Sequence, residues 1–269
     1  MRKPPPLAAV DPAAPPPNLA KRPGAVPIAL QGLSKQFGTG VQALDTINFD
    51  IAGGEFISIV GPSGCGKSTL LRIVAGLVQP TTGACERARN ATAAFVFQDA
   101  ALLPWRTVSR NAELLMELEG VPAPERGSRA AEALKLVGLA GFERSYPHQL
   151  SGGMRMRLSL ARALALRPDL MLLDEPLAAV DELTRDVLQE ELSQLWQMAG
   201  FTALLVTHNV HEAVYLSNRV VVMSARPGRI LKVIQVPFPF PRSPELRSTA
   251  AFAKLTGDVS AALRQRDHI

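Results

Sequence analysis

Three short stretches of this 269-residue chain carry side chains suited to gripping a phosphate chain and attacking it with water. The first, Gly61-Pro62-Ser63-Gly64-Cys65-Gly66-Lys67-Ser68, fits the pattern G-x-x-x-x-G-K-[ST] in full, between a strand-like and a helix-like segment. Gly61, Gly64 and Gly66 permit backbone angles that turn successive N–H groups onto one anion. A helix starting near Lys67 aims its positive end at the same spot. The Lys67 ammonium can reach the β- and γ-phosphates, the Ser68 hydroxyl can ligate Mg²⁺, and the Thr69 N–H can bind the α-phosphate. The second stretch, Leu170-Met-Leu-Leu-Asp174-Glu175, reads as a buried strand ending in two carboxylates. One carboxylate there can hold Mg²⁺ through water, and the next can take a proton from an attacking water. Alone it would equally suit a solvated acidic turn; the phosphate loop 107 residues upstream favours the chemical role. In the third, Leu150-Ser151-Gly152-Gly153-Met154, Ser151 suits a helix N-cap and two glycines admit a phosphate to the helix start. A plain helix cap is the alternative. One nucleotide has one γ-phosphate, so two anion sites per chain point to a dimer in which each triphosphate is clamped between two copies.

Positioning these groups requires alternating strands and helices. Glu55–Val60, Ala93–Phe97, Leu170–Leu173, Thr202–Val206 and Arg219–Met223 read as strands. Lys67–Leu77, Met154–Leu166, Glu182–Met198 and Val210–Leu216 read as helices. The alternation predicts an α/β layer with a largely parallel sheet. Ile28–Leu33 and Ile47–Ile51 are expected as antiparallel strands at one edge. Residues 99–150 offer helices without a convincing strand, so a helical subdomain is expected over about 99–165.

Composition sets the boundaries. The chain is 47% hydrophobic with mean hydropathy +0.10, enough to bury a large core. Nine of 22 prolines fall in residues 1–27, which have almost no large apolar side chains, so a disordered Pro/Ala-rich tail is expected there. The same prolines break any secretory apolar segment. A Pro-rich passage, 236–244, precedes a segment over 242–269 in which Phe252, Leu255, Val259 and Leu263 repeat at helical spacing. The formal charge of +5 divides into +3 in residues 1–27 and +2 in 242–269, leaving the 28–241 body neutral. No basic face for nucleic acid is therefore implied. Two cysteines make no disulfide framework and favour a reducing compartment. No apolar run approaches the roughly 20 residues a bilayer demands.

Taken together, Gly61–Ser68, Gln98, Leu150–Met154, Asp174–Glu175, Asp181 and His208 stand in the order and spacing of an ABC-type ATPase, and the resemblance covers about residues 28–235. It implies a P-loop NTPase fold with a mostly parallel sheet, an antiparallel β subdomain and a helical subdomain carrying the signature, with ATP and Mg²⁺ bound. By that resemblance Gln98 touches Mg²⁺ and the attacking water, Asp181 crosses the dimer interface, and His208 contacts the γ-phosphate. Ser68, Gln98 and Asp174 hold the metal, while Glu175 orients or deprotonates the water. Phe37 in Ser34-Lys-Gln-Phe37 matches the aromatic that stacks on adenine; packing beneath a loop is its alternative. Three positions depart from the family pattern: Met154 where Gln is usual, Ala178 where Ser is usual, and Asn209 where Asp is usual. None is a phosphate, metal or base ligand.

ABC-type ATPases also serve chromosomes, DNA repair and translation. The chromosomal type inserts a coiled coil of hundreds of residues between Gln98 and the signature, where this chain has 53, and the translation type carries two ATPase units per chain. A transport subunit is the expectation, with a soluble ATPase acting on nucleic acid or ribosomes as the alternative. A nucleotide-binding scaffold without turnover is a third. The resemblance implies separate membrane-spanning permease subunits, an indirect solute-binding protein, and a place on the cytoplasmic face of the cell membrane. Ala101-Leu-Leu-Pro-Trp105 lies where the family docks its permease, and Trp105 either anchors that contact or packs in the core. Gln98–Trp105, Leu150–Arg155 and Ala225-Arg-Pro-Gly-Arg-Ile230 resemble the importer branch for nitrate, taurine and aliphatic sulfonates.

Overall fold

A computed structural model describes residues 25–264, apart from 39, 89 and 179. In chain order the strands are β1 (Ile28–Gln36), β2 (Gln42–Ile51), β3 (Phe56–Val60), β4 (Thr82–Arg87), β5 (Ala93–Val96), β6 (Leu170–Asp174), β7 (Thr202–Val206), β8 (Arg219–Met223) and β9 (Ile230–Gln235). The helices are α1 (Lys67–Val74), α2 (Val108–Leu118), α3 (Ala123–Leu136), α4 (Gly152–Ala165), α5 (Glu182–Ala199), α6 (Val210–Leu216) and α7 (Ala250–Arg264).

Strands β3, β6, β7 and β8 are buried along their whole length, which parallel strands covered on both faces require. Their alternation assigns one face to each of two cores. Phe56, Val60, Met171, Leu173, Ala203 and Leu205 join the core under α2, α3, α4, α5 and α7. Ile57, Ile59, Leu170, Leu172, Leu204 and Val206 join the core formed with α1, β1 and β2. The six-stranded sheet runs β5-β6-β7-β3-β8-β9, parallel except for β9. In such sheets ligands bind beyond the carboxyl ends of the strands. Here Gly61, Gln98, Asp174 and Thr207 all follow or close those ends.

Strands β1 and β2 alternate buried with exposed residues and pair antiparallel, Ile28 opposite Ile51. They do not edge the large sheet. With β4 they form a separate sheet of order β2-β1-β4. The helical region holds α2, α3 and α4, whose Val108, Ala112, Met116, Ala133 and Leu158 are buried in the main core. Helix α1 stops at Val74, short of the expected Leu77, because Gly76 takes φ +79° and leaves Leu77 exposed.

Of the expected tail, residues 1–24 lie outside the described residues. Val26 is buried, and its carbonyl accepts from Thr202 Oγ1 at 2.7 Å, so the packed body starts before Ile28. Toward the other end, the buried Arg242 guanidinium donates to the carbonyls of Val214, Tyr215, Ser217 and Phe238. Those bonds pin the Pro-rich passage, and α7 then buries Phe252, Val259 and Ala262 against the core. Residues 265–269 are outside the described set. Among the described residues no helix is long and apolar enough to cross a membrane.

Candidate active site

Strand β3 ends at Val60, and the loop Gly61–Gly66 turns the chain into α1. The turn needs glycine at Gly66, whose φ is +109° and where a Cβ would lie 2.6 Å from the Ala43 carbonyl oxygen. Lys67, 6% exposed, donates to the carbonyls of Gly61 and Pro62, both at 2.8 Å. A cleft of about 620 Å³ opens over this loop. Phe37, Val41, Ala43, Ser63, Gly64, Gly66, Lys67, Ser68, Thr69, Gln98, Glu175 and Arg226 line it. Its size falls within the range of small-molecule sites.

Strand β6 ends in Asp174, buried behind Ser68, and Glu175 just beyond it lines the cleft. Ser68 Oγ donates to Asp174 Oδ1 at 2.8 Å. Burial pushes the Asp174 carboxyl above the usual range, opposed by that hydrogen bond and by Arg72 and Lys67. Glu175 takes φ +48°, a conformation costing a non-glycine residue about 1–3 kcal/mol. Its N–H donates to the Val206 carbonyl at 2.8 Å, which fixes the carboxylate beyond the end of β7. Two side chains from other strand ends meet one Glu175 oxygen, Oε2. His208 Nδ1 stands 3.2 Å away and Gln98 Nε2 donates from 3.5 Å. A glycine-rich loop with its lysine, a hydroxyl–carboxylate pair and a hydrogen-bonded carboxylate thus converge from four separate parts of the chain.

Among the described residues no three His, Cys, Asp or Glu side chains form a metal cage. Mg²⁺ shared with phosphates needs no cage: it takes one or two carboxylates and completes its shell with phosphate and water. The Ser68–Asp174 pair, with the Gln98 amide nearby, fits that requirement.

Phe37 lines the cleft and is 43% exposed, so it does not pack beneath the loop. Trp105 is 71% exposed and is not part of the core. The signature residues stand elsewhere. Ser151 caps α4, accepting from the Met154 N–H at 3.2 Å, and Gly152 and Gly153 form the helix's first turn. Asp181 caps α5, accepting from the Thr184 N–H at 3.0 Å, and this bond leads the causes that hold its carboxyl below the usual range. Neither Ser151, Gly152, Gly153 nor Asp181 lines the cleft. Asn209, where Asp is usual, caps α6 by accepting from the N–H groups of His211 and Glu212.

Two residues near the site escape sequence reasoning. Arg226 lines the cleft, and its only signal in the sequence is the Ala225–Ile230 run. Glu212 lies 3% exposed behind His208, and its Oε2 shares a short hydrogen bond with the Thr207 hydroxyl. Burial pushes it up to about 7. Its place four residues after His208 carries no signal without the fold.

Comparison with known proteins agrees with this geometry. A family described as ABC transporter matches residues 44–178, half of the chain. An uncharacterized ABC transporter ATP-binding protein of Methanocaldococcus jannaschii is 48% identical over 226 residues, covering 81% of this chain and 85% of that protein. An aliphatic sulfonates import ATP-binding protein of Bacillus cereus is 46% identical over 216 residues, covering 78% and 84%. Among solved structures, a dimeric post-hydrolysis state of an ATP-binding cassette bound to ADP and Pi superposes with TM-score 0.71 at 32% identity, covering 79% of this chain and all of that one. Cleft, carboxylates and relatives lead to one assignment: this chain belongs to the ABC transporter family, as an ATP-binding cassette that hydrolyses ATP.

Proposed function

We propose that this chain is the ATP-hydrolysing subunit of an importer, powering uptake of a small organic or inorganic anion of the sulfonate, taurine or nitrate class through separate permease subunits. The hydrolytic part of this reading is supported by the convergence of Gln98 and His208 on one Glu175 oxygen beside the Ser68–Asp174 pair. The substrate class is supported by the sulfonate-import relatives from Bacillus.

ATP lies with adenine against Phe37 and its phosphates over Gly61–Thr69. Glu175 orients or deprotonates the water that attacks the γ-phosphorus. Lys67 and His208 neutralise the charge that spreads over the γ-phosphoryl oxygens. Ser68, Asp174 and Gln98 would hold Mg²⁺, which when bound neutralises charge on the β- and γ-oxygens. Ser151, Gly152, Gly153 and Asp181, which open α4 and α5 and share no bond with the Ser68–Asp174 or Glu175–His208 groups, act on the ATP of a second copy. The dimeric cassette relative with ADP and Pi supports that arrangement. Closing on ATP and opening after hydrolysis drives the permease. The exposed Trp105, in its Pro-containing loop just after Gln98, suits an anchor for that contact. The subunit then sits on the cytoplasmic face of the membrane, with a solute-binding protein acting from the far side.

The test is purification of the native complex from membranes, followed by identification of its other subunits and by phosphate-release assays with taurine, an alkanesulfonate and nitrate. Copurification of a permease and stimulation by one of these anions are expected. A chain recovered without a membrane partner but with bound nucleic acid or ribosomes would overturn the transport reading.

A further inference from the structure

The turn Ser224–Arg229, between β8 and β9, plays no part in the reaction above, yet it touches both halves of the nucleotide cleft. Toward the phosphate side, Arg226 Nε and Nη2 donate to the Gly64 carbonyl at 3.0 and 2.8 Å. The N–H of the same peptide unit, on Cys65, reaches the Pro62 carbonyl at 3.4 Å. That peptide plane is therefore held at both edges, with its carbonyl turned to a cation. A carbonyl free to swing toward a phosphate oxygen would repel it; one committed to a guanidinium leaves the surrounding N–H groups to face the anion. Toward the adenine side, the Gly228 N–H donates to the Ala43 carbonyl at 3.0 Å, and the Gly228 carbonyl accepts from the Asp45 N–H at 3.0 Å. Arg229 Nε donates to Asp45 Oδ2 at 2.8 Å, and this guanidinium holds the Asp45 carboxyl below the usual range. The fit is tight: a Cβ on Gly228 would lie 2.2 Å from the Cys65 carbonyl oxygen. Ser224 Oγ braces the turn, accepting from the Arg229 N–H at 2.9 Å and donating to the Pro227 carbonyl at 2.9 Å.

We propose that Arg226 is a nucleotide-positioning residue, which sets the Gly64 peptide of the phosphate loop, and that the turn carrying it fixes the Phe37 side of the cleft in register with that loop through Gly228 and the Arg229–Asp45 pair. The inference rests on the reading that this cleft binds ATP. It separates two effects. Arg226 acts on the phosphates alone, whereas Arg229 acts on the spacing between phosphates and base.

The experiment measures the affinity of the full chain for MgATP and for magnesium tripolyphosphate, which has no base, together with ATPase kinetics and melting temperature. Arg226→Ala is expected to weaken both ligands roughly fivefold, the size of one net hydrogen bond, with KM raised alike. Its kcat stays within about twofold, and its melting temperature is unchanged because the side chain is exposed. Arg229→Ala is expected to weaken MgATP by roughly threefold and leave tripolyphosphate unchanged. Affinities of Arg226→Ala within twofold of wild type, or a loss that only follows a fall in melting temperature, would overturn the inference while leaving the ATPase reading intact. A wild-type chain that bound neither ligand would bring down both.

Discussion

Replacing Glu212 by Gln should change how this protein's stability depends on pH. Glu212 is 3% exposed, its Oε1 has no hydrogen-bond partner, and its Oε2 meets only the Thr207 hydroxyl. Burial raises its pKa from 4.5 to about 7; Thr207, Arg185 and His208 pull it down, and Glu175 pushes it up. Between those values the folded chain holds a proton that the unfolded chain has released. The stability linked to this group is therefore complete below about pH 4.5 and is lost as pH rises through about 7. At about 1.4 kcal/mol per pH unit, the wild type loses about 1 kcal/mol by about pH 5 and about 3 kcal/mol by about pH 8. Gln does not titrate, so Glu212→Gln should gain about 2 kcal/mol on the wild type between those two pH values. For a domain of this size that is about 4–8 °C in Tm. Thermal melting of both proteins, without nucleotide, at about pH 5 and about pH 8 measures it directly. A Tm difference between variant and wild type that stays constant across that range would refute the reasoning, because it would mean the carboxyl is charged in the folded chain.

Glu175→Gln should keep MgATP binding and lower phosphate release by about 10²–10⁴-fold, the usual weight of a positioned proton acceptor; normal turnover would strip Glu175 of its role. Gly66→Ala forces a side chain into φ +109° and against the Ala43 carbonyl, which the Gly228 N–H already holds in place. It should cost about 2–4 kcal/mol and abolish ATP binding, and a variant matching wild type in Tm and affinity would contradict the loop geometry. Glu55→Gln removes the countercharge of Arg219, which is fully buried with its Nη2 on the Glu55 carboxylate at 2.7 Å. Urea unfolding should report a loss of about 3–5 kcal/mol, and a loss under about 1 kcal/mol would show the pair to be dispensable.

Much of the site is legible in the chain because its chemistry is local. Gly61–Ser68 carries in its own glycines the backbone freedom its turn needs, and Asp174 closes a buried apolar strand with Glu175 one residue beyond it. The runs Thr202–Val206 and Arg219–Met223 match their strands residue for residue, since strands buried on both faces are near-continuous apolar blocks, and Val210–Leu216 matches its helix because Asn209 caps its start. Strands β4 and β9 were illegible for the opposite reason. TGACER and ILKVIQ are only partly buried, and each is ordered by its pairing with β1 or β8 rather than by its own pattern. That β1 and β2 form their own sheet, with β4 added beside β1, is likewise a matter of pairing between segments rather than of their own pattern.

The sequence by itself determined which groups are proposed to handle phosphate, metal and water, because that proposal depends on residue type and on spacing within one turn or strand. Tertiary structure alone decided that Gln98, Glu175 and His208 meet at one oxygen, that Phe37 and Trp105 face outward, and that Arg226 reaches Gly64 across 162 residues. These are distances between segments joined only by the order of strands in a sheet, and strand order is set by how the two cores pack rather than by any local pattern.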